Sequence, residues 1–578
     1  MTAETVPIDP KHDPFNYTSG RWLHRDREEC QARHLEFDFN SLQQQVLKVC
    51  HGATAITGYE KVEGEYNRIL IFRTDNGQRV VAKLPFKLGS PNNLVIAAEV
   101  GAIRYLRKHA KFPTPGVLGY RRDASNPVGT DFILLEYARG VQLDQRWGTM
   151  TGQQKFKCIL NLVQTLKDMI SNEFPAYGHI YEESYAADSG LETVSINEEF
   201  CVGPHCSTSH WDGMIGNERF YHQIKPNRGP WTNFEDYLNA QVDASIAAIP
   251  PPTSIAFTSS TRPSWHGSPQ VVTELLETLR PIIKTVANDP KATAILDASK
   301  PLLMCWLPKR HVFVSEEDPT IITDIIDIQS AGIEAAFGHP PLFISFLEPK
   351  LPPDTEDQAF TQVFMEELIQ HAPRLMAPLF LSEAFCRPFA TCDTTWSQGA
   401  PNMLFALQEL RKNWASLNLE SPYPLAAISE QEAKRLEADR IKSEAAFHMR
   451  MTITRNLDCR PSGWVKTENW SRTMAIVTAV WSSFREAISD MEVQDGVTMS
   501  AEDVIQTWPF DIPSQMGADL VLITPRYINT AIPKLFAEEE TPTPAQATAK
   551  TKGSEKARKD KQHETKGGLL KSFRKRFS

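Results

Sequence analysis

A chain of 578 residues suits one large two-lobed protein or roughly three to four ordinary domains, so length alone does not choose. Hydrophobic residues at 41% and charged residues at 23% are the balance of a globular protein and exclude a fibrous or largely disordered chain. The net charge of −10 is split, because Lys550 to Ser578 holds eleven Lys/Arg against three acids and the preceding body is therefore acidic, which gives no reason to expect nucleic acid as a partner.

The N-terminal MTAETVPIDPKHD has neither an apolar core nor an Arg/Ser-rich amphipathic pattern, so a cytoplasmic location is expected. No apolar run approaches the roughly 18 residues that would span a bilayer. From Lys61 to Phe86, apolar and polar residues alternate on either side of Asp75-Asn76-Gly77, which predicts two antiparallel strands joined by a tight turn. Val95, Ala98, Ala102, Tyr105 and Leu106 then recur at helical spacing up to Pro113 and Pro115. Phe132 to Leu135 reads as a buried strand. Strand, strand, helix, strand is the order of a kinase N-lobe.

Ile159, Leu162, Val163, Leu166 and Ile170 predict an amphipathic helix over 151–174 that opens a second lobe. Cys201, His205, Cys206 and His210 have too loose a spacing for a zinc motif, and a polar loop is the favoured reading. Nine scattered cysteines predict reduced thiols. Pro250 to Pro252 and Pro349 to Pro353 predict surface loops, and Glu430 to Met451 a peripheral helical hairpin. The stretch from Thr541 to about Gly568 cannot bury enough apolar surface to order itself. Beyond it, Leu569, Leu570, Phe573 and Phe577 alternate with Lys and Arg in a basic pattern suited to an anionic membrane, although a solvated tail is the favoured reading. The expected divisions are an extension over 1–50, an N-lobe over 51–136, a helical C-lobe over 137–430, a helical extension over 431–537 and a disordered basic tail over 538–578.

Phosphoryl transfer in a kinase-type cleft needs a strand lysine, a helix glutamate that holds it, a base for the acceptor hydroxyl, and an Asn and an Asp for magnesium. Val80-Val81-Ala82-Lys83 matches the lysine strand, Glu99 lies on the following helix, and Asp327 closes the apolar run of TIITDIIDIQSAG. With FNYTSGRWL (15–23), EGEYNRILIF (63–72), NPVGTDFILLEYARG (126–140), RGPW (228–231), VFVSEEDPT (312–320), IIDIQSA (325–331) and RPF (387–389), these stretches make the chain resemble the aminoglycoside phosphotransferase and choline-kinase-like superfamily. Within it, the likeness is to the group named after altered inheritance of mitochondria, over Phe15 to about Asn418.

The resemblance implies an α+β, two-lobed protein-kinase-like fold, with a small antiparallel-sheet N-lobe and a large helical C-lobe. It implies an ATP site at Gly64, Lys83, Glu99 and Glu136, and a magnesium ligand at Asp327. It also brings a mitochondrial location into consideration beside the cytoplasmic one. The chain departs from the pattern where the family has His-x-Asp-Leu-His-x-x-Asn. Here Met304 to His311 puts Trp306 at the catalytic Asp and His311 at the metal-binding Asn. Indole accepts no proton, and imidazole suits magnesium poorly. Asp324 is a poor substitute base, since strand alternation would turn it away from Asp327. Gly64-Glu65-Tyr66 also replaces a more glycine-rich phosphate loop, and Glu65 is expected either beside the phosphates or in solvent.

The expectation is therefore a pseudokinase that binds nucleotide or regulates a protein or small-molecule partner, with magnesium binding weakened. The alternatives are an active small-molecule kinase with an unorthodox base, and a sequence error confined to residues 304–311. Trp211, Tyr221 and Trp231 are candidates for a cation-binding pocket, against the commoner role of core aromatics.

Overall fold

The computed structural model describes residues 13–511 apart from 216, 222–223, 225–226, 252–261, 339–354 and 458. The chain separates into Met1–Ile523 and Thr524–Ser578, the second unit lying wholly outside the described residues, as do the expected disordered stretch, the basic amphipathic end and the Pro349–Pro353 loop. The described part is mixed α and β, with an antiparallel sheet first and a mainly helical region after it, as a kinase-like fold requires. No helix among the described residues is long and apolar enough to cross a membrane.

The first lobe is built on a five-stranded sheet in the spatial order Ile56–Glu63, Asn67–Thr74, Arg79–Pro85, Phe132–Glu136, Val117–Arg121. The predicted hairpin joins the second and third of these, with Gly77 at φ +83° in its turn. Two further strands were not anticipated. Ile56–Glu63 has a burial pattern without clean alternation, and Val117–Arg121 follows directly after the prolines that end the helix. Alternation along the lysine strand decides the site. Val80, Ala82 and Leu84 point into a core with Leu70, Phe72, Leu42 and Val46, so Val81 and Lys83 face the other way, into the cleft. Leu42 and Val46 belong to the helix Phe39–Val49, so the stretch expected as an extension shares the core of the sheet.

The helix Asn92–His109 carries Glu99 and lies against the strand His179–Glu182 so closely that a Cβ on Gly101 would stand 2.6 Å from the Ile180 carbonyl. The predicted second-lobe helix spans Gly152–Ile170 and opens with a capping box, in which Gln154 N–H donates to Thr151 Oγ1 and Thr151 N–H to Gln154 Oε1. Beyond it, Phe234–Ile246, Pro269–Glu277, Leu279–Ala287 and Ala400–Asn413 enclose a core of Leu276, Ile282, Ile283, Met403 and Leu410. The predicted hairpin over 430–451 is instead one helix, Glu430–Asn456, capped by Ser429, whose side chain accepts from Glu432 N–H. Its charged sequence carries no turn signal, which is why it runs unbroken.

Candidate functional site

A cleft of about 2190 Å³ runs under the first lobe, with Ile71, Val81 and Leu135 on its apolar roof and Lys83 among them. Lys83 Nζ donates to Glu99 Oε1 at 2.8 Å and to Asp327 Oδ1 at 3.3 Å. Lys83 and Glu99 are both almost fully buried, at 4% and 3% exposed. Burial pulls the lysine's pKa down, but the Glu99 and Asp327 carboxylates outweigh it and hold the ammonium above its ordinary value. A solvated edge lysine is excluded by this geometry.

The opposite wall is set by two short antiparallel ribbons. Leu302–Met304 pairs with Gly332–Glu334, and Val312–Val314 pairs with Ile322–Ile325. Ile326 N–H donates to the His311 carbonyl, which holds His311 beside Asp327, and Asp327 sits in the left-handed region at φ 64°. His311 Nε2 lies 3.6 Å from Asp327 Oδ2, and the Trp306 ring stands perpendicular to the imidazole with centroids 5.4 Å apart. Arg310 stacks its guanidinium over Trp306 at 4.5 Å. Burial lowers the His311 pKa despite the opposing field of Asp327. Asp327 would be raised by burial, but Lys83 and His311 hold it below the usual carboxylate value.

Trp306 lines the cleft where the resemblance puts a catalytic carboxylate. Asp324 does not compensate. It is buried and accepts from Arg139 N–H at 2.7 Å and Arg139 Nε at 3.0 Å, away from the cleft lining. Strand alternation is not the reason, because the strand ends at Ile325 and the left-handed turn at Asp327 separates the two carboxylates.

Magnesium does not fit this residue set. It wants oxygen ligands, whereas Asp327 offers its oxygens to Lys83 and His311, and His311 presents nitrogen where an amide oxygen would serve. Among the described residues, no group of three or more His, Cys, Asp or Glu is placed to hold a metal ion.

Gly64 and Glu65 are exposed in the loop between the first two sheet strands, at the cleft mouth, and a Cβ on Gly64 would meet only the Asn67 carbonyl at 3.6 Å. Glu136 borders the cleft, but its carboxylate accepts from Gly116 N–H at 2.7 Å and Arg107 at 3.3 Å. Trp211, Tyr221 and Trp231 follow the commoner reading, as packed aromatics rather than a cation pocket. Trp231 is packed against Tyr237 and His210, Trp211 is covered by Arg228 at 3.8 Å, and Tyr221 bonds the Ser209 carbonyl, with none of the three lining the cleft.

Sequence reasoning missed what the two ends of the described chain contribute. Gly20–Trp22 pairs antiparallel with Trp464–Lys466, and Tyr17, Thr18, Arg460 and Trp464 border the cleft. The buried Glu63 carboxylate takes Thr18 N–H, Ser19 N–H and Arg68, and Arg33 donates to the Glu65 carbonyl. The FNYTSGRWL motif was visible, but nothing in its residues named a strand more than 440 positions away.

No family model matches the chain. A subtelomeric hrmA-associated cluster protein of Aspergillus fumigatus is 32% identical over 168 residues, which is 29% of this chain and only 31% of that protein's length. The altered inheritance of mitochondria protein 9 of Komagataella phaffii is 23% identical over 433 residues, covering 62% of this chain and 67% of that one. Its Yarrowia lipolytica counterpart is 25% identical over 269 residues, 42% and 45% of the two chains. Over part of its length the chain is similar in sequence to the altered inheritance of mitochondria proteins. Both yeast proteins are named as mitochondrial. Among solved structures, the streptomycin–ATP complex of the aminoglycoside phosphotransferase APH(2″)-IIa is 12% identical, covers 67% of this chain and 98% of that one, and has a TM-score of 0.34. The GDP complex of aminoglycoside 2′-phosphotransferase-IIIa gives 14%, 66%, 99% and 0.30.

Proposed function

We propose that this kinase-like protein is a pseudokinase that binds a nucleotide such as ATP with little dependence on magnesium and serves as a regulatory module. The observation that carries the reading is the union of an intact Lys83–Glu99 pair with a base position filled by Trp306, over which Arg310 stacks. The lysine is ordered and charged for phosphate, while the group that would take a hydroxyl proton is absent from its place. Loss of a general base alone removes about 10²- to 10⁴-fold of rate. Arg310, exposed beside Trp306 on the cleft wall, supplies positive charge where magnesium finds no oxygen cage. The names of the yeast relatives favour a mitochondrial setting, which fractionation of a tagged chain tests.

The test is calorimetric titration with ATP, with and without magnesium, alongside a turnover assay. Binding without turnover, lost in Lys83→Ala, is expected. Turnover abolished by Asp327→Ala would instead establish an active phosphotransferase, and absence of ATP binding would sink the nucleotide reading.

A further inference from the structure

Away from the cleft, in the helical region, two arginines come together without a counter-charge. No acid lies between Asp243 and Glu274 in the sequence, so Arg262 has no carboxylate in its own stretch. Arg450 stands late in the helix Glu430–Asn456, where the positions three and four residues away are Ala446, Phe447, Ile453 and Thr454, again without an acid. Burial lowers the pKa of both guanidinium groups, that of Arg262 to about 10, and among the described residues no carboxylate opposes it.

The fold places the pair around one short turn. Ser264–His266 packs against the helix Glu430–Asn456, with Gly399 so close that a Cβ on it would stand 2.7 Å from His266 Cδ2. Arg262 is fixed on this turn. Its Nε donates to the Gly267 carbonyl at 3.2 Å, its Nη2 donates to the His266 carbonyl at 3.3 Å, and its guanidinium lies 3.6 Å from the centre of the Trp396 ring, which leaves Nη1 for another acceptor. Burial and then the charges of Arg262 and Arg450 lower the His266 pKa to about 3, so both arginines stand near the same imidazole. Both are half-buried and reach the surface, whereas Trp265 Nε1, His266 Nε2 and Arg450 Nε are shut from water with no partner among the described residues. Buried charge is normally paired, and each unmet donor costs stability, so this arrangement lacks an acceptor that carries negative charge.

We infer that Arg262 and Arg450 form a surface site for a dianionic phosphoryl group above the turn Ser264–His266. Two guanidinium groups without a counter-charge match two negative charges, and their planar forks of N–H donors suit phosphate oxygens. A carboxylate would leave one positive charge unmatched, and a cation would be repelled. None of these residues lines the cleft, so the site stands independently of the nucleotide reading.

Urea unfolding of the full chain at about pH 8 tests this, with inorganic phosphate, glycerol 1-phosphate or acetate exchanged for chloride at constant ionic strength. The midpoint of the natural chain should rise saturably with phosphate, as binding to the folded state alone requires. Arg450→Met keeps the apolar stem and drops the charge. In it the phosphate concentration giving half the effect should increase about tenfold or more, the size of one charge-assisted hydrogen bond, while the midpoint in chloride alone should be no lower than that of the natural chain. A response to glycerol 1-phosphate as strong as that to phosphate assigns the site to phosphate monoesters, and a response to phosphate alone assigns it to the free ion. An equal phosphate response in both chains, a response to acetate as large as that to phosphate, or a midpoint lowered in Arg450→Met by the same amount in every salt would each overturn the assignment.

Discussion

Lys83 and Glu99 meet where neither charge reaches water, so each is tolerable only because of the other. Lys83→Ala leaves the Glu99 carboxylate buried without its 2.8 Å partner, and a loss of about 3–5 kcal/mol in urea unfolding is expected. The double variant Lys83→Met/Glu99→Leu removes both charges and should recover most of that stability while still failing to bind ATP. Equal instability of the single and double variants would mean that packing, not charge, is lost at Lys83. His311 yields a second prediction. In His311→Asn an amide oxygen replaces imidazole nitrogen beside Asp327, so magnesium should tighten ATP binding about tenfold or more, against little change in the natural chain. Calorimetry with and without magnesium reads this, and a natural chain as magnesium-dependent as the variant would contradict the role given to His311.

The short ribbon between Gly20–Trp22 and Trp464–Lys466 borders the phosphate-loop end of the cleft, and its closure depends on one missing side chain. A Cβ on Gly20 would stand 2.3 Å from the Trp464 indole, whose Nε1–H donates to the Tyr17 hydroxyl at 3.0 Å. Gly20→Ala should therefore displace the indole and destabilise the protein by about 1–3 kcal/mol, the usual range for overpacking. Chemical denaturation measures it, and limited proteolysis should cut near Thr18 faster in the variant. An unchanged cutting rate would show that the ribbon does not hold the N-terminal segment.

Local pattern and long-range pairing divide what could be read in advance. The Asp75–Gly77 hairpin, the Lys83 strand, the Glu99 helix and the capped helix from Gly152 were legible because each writes its own period or cap. The reading of Trp306 and His311 as replacements rests on flanks that match a known order of motifs. The ribbon at Gly20, the His205–Glu334 contact across 129 positions and the Arg139 grip on Asp324 were not, since each joins distant residues whose local sequence looks unremarkable. Asp327 was read as the end of a strand, whereas the strand stops at Ile325 and Asp327 stands two residues on in a left-handed turn that no glycine announces.

At the scale of the whole described unit, several buried histidines set the response to acid. Burial holds His179 and His266 down to about 3 and His210 well below the ordinary value, with the neighbouring His205 or Arg262 acting in the same direction. The folded protein therefore keeps these rings neutral, whereas the unfolded chain protonates them below about pH 6.5. Because the unfolded state binds more protons between about pH 6.5 and 3, stability is complete above that window and falls as pH drops through it. Each ring contributes a slope of about 1.4 kcal/mol per pH unit well inside the window, large against the 5–15 kcal/mol typical of a folded domain. Asp327, held below the ordinary carboxylate value, loses its stabilising contribution only below about pH 5, past the acid end of the urea series, and does not blur the test. Urea midpoints at pH 7.5, 6.5, 5.5 and 5.0 should be level at the upper end and then fall steeply. In His179→Gln the fall should be shallower by about one ring's share, and a profile flat from pH 6.5 to 5.0 would mean that these imidazoles are already protonated, or already wet, in the folded protein.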